Sequence, residues 1–278
     1  MSERIDRRSA SGFTVTELLV VIAIIALIVS LVASAAGPLR QNAWSTKDLT
    51  QLRTLSQAIN AYAADQAGRL PSPRTKNESL GGGMAPVTNA WVNTNASGGV
   101  VAGWDTEKSL AGGSLWPYMN AVASAYKSPF DTTRMARSYS MSGYVGSGGL
   151  NITQNPPRMC DDWWIEFGKN TMTLGKIPQP SNTMAFIGED DPTANFNEFG
   201  WCHPALSTGT WLGKWIDLPP LWGGNSINIS MVDGSAQSLK ILSPRLRKWF
   251  ETASHESFEP APYVAWRIMR QHTLPGAY

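Results

Sequence analysis

Charged residues and catalytic side chains are both scarce in this sequence. Asp, Glu, Lys and Arg make up 16% of the 278 residues, and the formal net charge is only +2. No basic stripe stands out, so we do not expect a nucleic-acid partner. The three histidines are scattered, and the motifs of a nucleophile elbow, a phosphate-binding loop, a dinucleotide site and a zinc protease are all missing. The sequence therefore predicts that the protein is not an enzyme.

One long apolar run begins close to the N-terminus. The nineteen residues from Leu18 to Ala36 carry no charge, and Glu17 stands directly before them. A helix of that length covers roughly the 30 Å hydrocarbon core of a bilayer. An ionised carboxylate at membrane depth is costly, so Glu17 requires a specific partner. The pattern predicts a transmembrane helix with one acidic residue at its entrance.

The residues before the run predict its orientation. The basic residues Arg4, Arg7 and Arg8 outnumber the acidic residues Glu3 and Asp6. Because positively charged flanks tend to stay in the cytoplasm, we expect a cytoplasmic N-terminus and an extracytoplasmic C-terminal part. The alternative is an ordinary secretory signal peptide, since Ala33-Ser34-Ala35 offers a small-x-small cleavage site. That alternative leaves the Gly12-Phe13 junction and Glu17 unexplained.

The segment from Gly12 to Leu18, Gly-Phe-Thr-Val-Thr-Glu-Leu, followed by an apolar helix, resembles the N-terminal signal of type IV pilins and type II secretion pseudopilins. The resemblance implies that a prepilin peptidase cleaves after Gly12 and that Phe13, the new N-terminal residue, is N-methylated. It also implies that Glu17 pairs with the N-terminal amine of a neighbouring subunit during assembly. Such pairing removes most of the cost that an amine and a carboxylate each have alone in lipid. The implied partners are the prepilin peptidase, other pilin or pseudopilin subunits contacted through the N-terminal helix, and the cytoplasmic membrane.

The resemblance and the helical pattern together imply four segments along the chain. Residues 1–12 form a basic leader that is cleaved, residues 13–37 a transmembrane helix, residues 38–70 its amphipathic continuation, and residues 71–278 an extracytoplasmic head. Gly37 and Pro38 predict a kink or local unwinding between the two helical segments. In the second segment an apolar stripe recurs every three or four residues, while polar residues that include Asp48 and Gln51 occupy the rest of the helix surface. The stripe consists of Leu49, Leu52, Leu55, Ile59 and Tyr62.

The head is rich in turn-forming residues, and the whole chain holds 25 glycines and 18 prolines. Strands are predicted at 137–146, 183–188, 227–232 and 235–241, and Asp233-Gly234 between the last two predicts a hairpin with a type I′ turn. Residues 71–110 are predicted to form a long loop with short strands at most, at Ala90-Trp91-Val92 and Gly99-Val100-Val101. The predicted fold class is α+β and pilin-like. A long N-terminal helix, half transmembrane and half amphipathic, packs on a loop-rich antiparallel β-sheet head.

Four fragments of the head extend the resemblance. They are Ser128-Pro129-Phe130-Asp131, the segment from Arg137 to Gly146, Phe186-Ile187-Gly188-Glu189-Asp190, and the segment from Asn228 to Ser235. Their order resembles pseudopilin-like proteins with an H-X9-DG domain. The sequence departs from that pattern because Gly223 stands where the histidine is expected, and Ser128 stands in place of the usual cysteine. No role of that histidine therefore carries over to this chain.

An acidic loop and a pair of cysteines offer two further predicted sites. The candidate calcium ligands are Glu189, Asp190, Asp191 and Asn195. They supply several of the hard oxygen ligands that Ca²⁺ prefers, and some major pseudopilins resemble this in using calcium, although the spacing differs from an EF-hand. The alternative is a solvated turn whose side chains bind the local backbone. Cys160 and Cys202 favour a disulfide in an extracytoplasmic compartment, and the alternative is two separately buried thiols.

Two functions remain open at this stage. The first is a structural subunit of a surface type IV pilus or a periplasmic type II secretion pseudopilus. The alternative is a membrane-tethered binding module that uses the prepilin route only for delivery and whose head recognises a glycan or a secretion substrate. The tryptophans that suggest it are Trp201, Trp211, Trp215 and Trp222. Packing in the core or between subunits explains such large aromatic residues equally well.

Overall fold

The computed structural model describes residues 13–75, 78–80, 83–85, 89–93, 106–133, 135–146, 173–177, 179–189, 217, 219–220, 222, 226–240, 269 and 271–272. Its contacts divide the chain into two compact units, one that runs to Ala43 and one that begins at Trp44.

Helix α1 comprises Val15–Asp65, a length of 51 residues. The backbone stays helical through Pro38, so the local unwinding predicted there does not occur. Pro38 removes only its own N–H from the helix, and the hydrogen bonds of the flanking turns maintain the rest. The helix ends where Ala67 and Gly68 adopt positive φ angles of 53° and 82°. There the Gly68 N–H donates to the Ala63 carbonyl at 2.7 Å, which caps the last turn.

Among the described residues, four strands of the second unit form an antiparallel sheet in which each strand pairs with the next one along the chain. Strand β3 comprises Tyr139–Met141, β4 Met184–Gly188, β5 Ser226–Met231 and β6 Ala236–Lys240. The register of β4 on β5 shifts between Met184 and Phe186. The long helix together with this antiparallel sheet confirms the predicted α+β, pilin-like fold class. Of the strand predicted at residues 137–146, only Tyr139–Met141 form a strand.

The hairpin of β5 and β6 forms where Asp233-Gly234 predicted it, but the predicted turn type is wrong. A type I′ turn requires positive φ at both central residues, whereas only Gly234 has one, at 92°. The Gly234 N–H donates to the Met231 carbonyl at 3.1 Å, and the Met231 N–H donates to the Ser235 carbonyl at 2.8 Å. Asp233 Oδ1 accepts from the Ser235 N–H at 2.9 Å, which holds the aspartate in a local side-chain turn.

The segment predicted as a long loop contains short elements. Strands β1 (Glu78–Leu80) and β2 (Gly83–Ala85) form a two-stranded antiparallel hairpin, and helix α2 comprises Glu107–Ala111. Three short 3-10 helices follow, at Trp116–Met119, Ala123–Tyr126 and Leu174–Lys176. The strand predicted at residues 90–92 is wrong, because Ala90 makes only an isolated bridge to Ser72. The strand predicted at residues 99–101 lies outside the described residues.

The C-terminal part of α1 packs its apolar stripe on the sheet. Leu52, Leu55 and Ile59 are fully buried in the same hydrophobic cluster as Phe186 and Val232. Two polar residues of this helix depart from the prediction, since Asp48 and Gln51 are only 6% and 8% exposed. Leu49, predicted to lie in the stripe, is partly exposed. The buried face of the helix is therefore rotated towards Asp48 and Gln51.

Candidate functional site

The first residues of α1 form a capping box. Thr14 occupies the position before the helix, and its side-chain oxygen accepts from the Glu17 N–H at 3.2 Å. Glu17 Oε2 in turn accepts from the Thr14 N–H and from the Thr14 hydroxyl, both at 2.8 Å. This reciprocal arrangement satisfies donors that every helix start leaves open. Glu17 therefore already has one local role, and Phe13 directly before the box is 82% exposed.

The N-terminal part of α1 exposes its apolar side chains all round. Large apolar residues from Phe13 to Leu39 are between 43% and 82% exposed. The most apolar 18-residue window of the helix has a mean hydropathy of 3.1, and none of it is buried. Ser30 and Ser34 donate their hydroxyls to the carbonyls of Leu27 and Leu31 at 2.7 and 2.8 Å, so neither adds an open donor to the surface. Such a helix is compatible with a single membrane span.

A buried polar cluster, which we name the Asp48 cluster, joins α1 to the sheet. Its members are Asp48, Gln51, Ser128, Tyr139 and Asn228. Asp48 Oδ1 accepts from the hydroxyls of Ser128 and Tyr139 at 2.5 and 2.6 Å, and Oδ2 accepts from the Asn228 amide at 2.8 Å. Tyr139 also lies 3.0 Å from Gln51 Oε1. All three donors to Asp48 are uncharged, and they come from a loop, β3 and β5.

The loop that follows Ser128 is fixed by a second set of polar contacts. Asp131 Oδ2 accepts from the Ser138 hydroxyl at 2.5 Å, and Oδ1 accepts from the Thr133 N–H at 2.7 Å. The Lys127 ammonium donates to the carbonyls of Thr133 and Met135, the latter at 2.7 Å. The same ammonium lies 3.9 Å from Asp131 Oδ2. These contacts give the loop one conformation and hold Ser128 in place against α1.

Burial dominates the electrostatics of two tyrosines. Burial and the neighbouring Asp48 carboxylate raise the pKa of Tyr139, so its hydroxyl stays a donor to Asp48. Burial also raises the pKa of Tyr126, which stacks on Trp91 with ring centroids 6.1 Å apart. Within the part of the chain that the structure describes, the Tyr126 hydroxyl has no hydrogen-bond partner, unlike that of Tyr139. The two phenols therefore differ in whether their polar atom contributes to stability.

The predicted calcium site is described at only one of its four residues. Glu189 is 1% exposed, and its carboxylate accepts from the Ser140 hydroxyl. The Arg137 guanidinium lies 3.5 Å from the same hydroxyl and 5.2 Å from the centre of the Trp91 ring. Asp190, Asp191 and Asn195 lie outside the described residues. Within the described part of the chain, no group of three His, Cys, Asp or Glu side chains is placed to hold a metal. Calcium binding stays a prediction.

Several other predicted residues also lie outside the described part of the chain. These are Gly12, the cysteines Cys160 and Cys202, Gly223, and the tryptophans Trp201, Trp211 and Trp215. The cleavage site, the disulfide and the glycan-binding alternative therefore stay predictions. Of the histidines, His272 is described. Its Nδ1 lies 3.3 Å from the Asn182 carbonyl, and partial burial lowers its pKa.

Sequence reasoning missed the Asp48 cluster, although the four head fragments named above contain most of its members. Ser128, Tyr139 and Asn228 each come from a different fragment, and the fold brings all three to one carboxylate. The signal was present in the helix itself. Asp48 and Gln51 are three residues apart, and each stands four residues before a leucine of the apolar stripe, Leu52 and Leu55 respectively. That spacing places all four residues on one face of the helix.

Comparison with known proteins addresses the N-terminal segment. The family model for the prokaryotic N-terminal methylation motif matches residues 7–33, which include the Gly12-Phe13 junction, the capping box and most of the apolar run. No curated protein and no solved structure matches the chain. The matched motif implies processing by a prepilin peptidase and assembly with pilin subunits. This motif, together with the long N-terminal helix packed on an antiparallel sheet, supports a prepilin-like protein.

Proposed function

We propose that the protein is a structural subunit of a type IV pilus or a type II secretion pseudopilus, with no catalytic role of its own. A prepilin peptidase cleaves after Gly12, and Phe13 becomes the N-methylated first residue of the mature chain. The apolar part of α1 anchors the subunit in the cytoplasmic membrane, with the N-terminus cytoplasmic and the head outside. The methylation motif at residues 7–33 carries the proposal, because it covers both the cleavage junction and the first part of α1.

The exposed apolar surface of α1 supports assembly through this helix. A helix that is apolar all round requires either lipid or other helices around it. Contacts between such helices in lipid depend on packing and on polar pairs. Glu17, which the structure places at the first turn with its carboxylate exposed, is the polar group available for such a pair. In the assembled filament we expect it to meet the methylated amine of a neighbouring Phe13.

The capping box makes a sharp test possible, because Glu17 has two separable roles. Glu17→Gln keeps an oxygen that accepts from Thr14 but removes the charge. Thr14→Ala keeps the charge but removes the hydroxyl of the box. If the charge pair drives assembly, Glu17→Ala and Glu17→Gln are cleaved but produce no sheared filaments, whereas Thr14→Ala produces them. Filaments from Glu17→Gln, with none from Thr14→Ala, would show that the helix cap matters and would refute the charge pair.

Cleavage is tested independently of assembly. Gly12→Ala should retain the leader, which is read from the mass of the N-terminal peptide. In the unaltered chain the same peptide should begin at Phe13 and be heavier by one methyl group. A mature chain that begins elsewhere, for example after Ala35, would show that the segment is an ordinary signal peptide and would refute the proposal.

A further inference from the structure

An aromatic pair lies on the head unit immediately after the apolar part of α1. Trp44, on the helix, and Phe130, on the loop after Ser128, meet edge to face with ring centroids 5.6 Å apart and planes at 88°. Both residues are partly exposed. Aromatic side chains with an apolar body and, in tryptophan, a polar N–H are the residues that favour the boundary between lipid and water.

The loop that carries Phe130 is held in place by the Asp48 cluster. The Ser128 hydroxyl donates to Asp48, one helical turn after Trp44, and the Ser128 side-chain oxygen accepts from the Phe130 N–H at 3.3 Å. The Asp131 N–H donates to the Ser128 carbonyl at 3.1 Å. Phe130 therefore meets Trp44 on a loop that is already ordered, and the pair presents a fixed surface.

The position of Trp44 along the helix matches the thickness of the headgroup layer. Leu39, the last large apolar residue of the exposed run, is 66% exposed and precedes Trp44 by five residues of α1. Five residues rise by about 7.5 Å, and the headgroup region adds roughly 5–7.5 Å on each side of the hydrocarbon core. Side chains on a helix also lean towards its N-terminus, which brings the Trp44 ring back towards the span.

The exposed charges that flank Trp44 on α1 are of one sign. Arg40 and Lys47 precede and follow it by four and three residues, so they share its side of the helix, and both are exposed. The sequence between them contains no acidic residue, and the next acid, Asp48, is buried. Basic residues beside an aromatic pair suit the phosphates of lipid headgroups.

We propose that the Trp44–Phe130 pair is a membrane-contact surface of the head, which rests among the lipid headgroups where α1 leaves the bilayer. The inference depends on the membrane anchoring described under the proposed function. It adds a second contact with the same membrane, made by the head rather than by the span.

The test measures fluorescence quenching of the full-length chain in vesicles of phosphatidylcholine and phosphatidylglycerol. A lipid with a nitroxide on its headgroup quenches the tryptophans that lie near the headgroups. Trp44→Phe keeps an aromatic ring on Phe130 but removes one emitter. Trp116→Phe is the matched control, because Trp116 is also partly exposed. It lies in the 3-10 helix whose Tyr118 donates to Asp65, and Asp65 is 21 residues, or about 31 Å, further along α1 than Trp44.

We expect the quenched fraction of the emission to fall in Trp44→Phe and to be unchanged or higher in Trp116→Phe. Equal quenched fractions in all three proteins, or a fall in the control, would overturn the proposal. A difference that appears only as the protein-to-lipid ratio is raised would assign the pair to a contact between copies and would also overturn it. Flotation of the same vesicles separates the two levels of inference. If the chain floats but Trp44 is not quenched, only the membrane-contact surface is refuted. If the chain does not float, the proposed membrane anchor is refuted as well.

Discussion

The contribution of Asp48 to the stability of the head can be estimated from its contacts. In Asp48→Ala the hydroxyl of Ser128 and the amide of Asn228 lose the acceptor that they share, while Tyr139 keeps Gln51 Oε1 at 3.0 Å. A buried neutral donor left without a partner costs about 1–3 kcal/mol. Because two donors lose their acceptor, we expect Asp48→Ala to lower the free energy of unfolding by about 2–6 kcal/mol.

The comparison of three variants isolates the hydrogen bonds from the charge. Asp48→Asn keeps one oxygen for the two hydroxyls but turns an amide towards that of Asn228, so we expect a loss of about 1–2 kcal/mol. Asp65→Asn is the control on the same helix. Its carboxylate is exposed and accepts from Tyr118 at 2.9 Å, and a change at such a site is expected to stay within about 0.5 kcal/mol.

Thermal unfolding of the full chain in detergent, followed by near-ultraviolet circular dichroism, provides the measurement. For a unit of this size, 1 kcal/mol shifts Tm by about 2–4 °C, so Asp48→Ala should lower Tm by about 4–24 °C. A shift no larger than that of Asp65→Asn would refute the reasoning. It would mean that the hydrogen bonds at Asp48 are replaced as readily by water as those of an exposed carboxylate.

Three further predictions concern the head. Tyr139→Phe removes a hydroxyl with two acceptors and should cost about 1–3 kcal/mol, whereas Tyr126→Phe removes a buried hydroxyl without a partner and should be neutral or stabilising by urea unfolding. Burial raises the pKa of both phenols in the folded chain, so their contribution to stability is fully present below about pH 10 and is lost as the pH rises further. Tyr139→Phe should therefore reduce the loss of stability in an alkaline titration, and an unchanged slope would contradict this. Gly146→Ala should cost several kcal/mol, because the φ of Gly146 is +108° and a Cβ would lie 2.0 Å from the Pro71 carbonyl oxygen. Gly175→Ala is the control, since a Cβ there meets open space and should change the unfolding midpoint little. Equal unfolding midpoints for the two variants would argue against this packing.

The head motifs show where sequence reasoning reached its limit. Asp233-Gly234 predicted the last hairpin correctly, because a turn depends on the residues next to it. The turn type depended on the φ angle of Asp233. This residue accepts hydrogen bonds from Ser235 and keeps a negative φ, which a type I′ turn does not allow. The strand predicted at 137–146 extends only over Tyr139–Met141, where it pairs with β4. Strand length is a property of the pairing partner as well as of the strand.

Asp48 and Gln51 show the same limit on a helix. Their place beside the apolar stripe was visible in the sequence, yet a polar residue at the edge of a stripe is exposed on most helices. Burial became favourable only because a loop, β3 and β5 bring Ser128, Tyr139 and Asn228 to one carboxylate. A buried polar group is tolerated when it is hydrogen-bonded, and those partners are up to 180 residues away along the chain.

The sequence by itself determined the functional interpretation of the N-terminal segment. The Gly12-Phe13 junction, Glu17 and the apolar run are contiguous, so their chemistry and length can be read directly, and the matched methylation motif lies on the same residues. Only the tertiary structure decided that Asp48 is buried and that Phe130 meets Trp44. The physical reason is distance along the chain. Membrane insertion depends on local hydrophobicity, whereas a buried polar cluster or an aromatic surface depends on segments that only folding brings together.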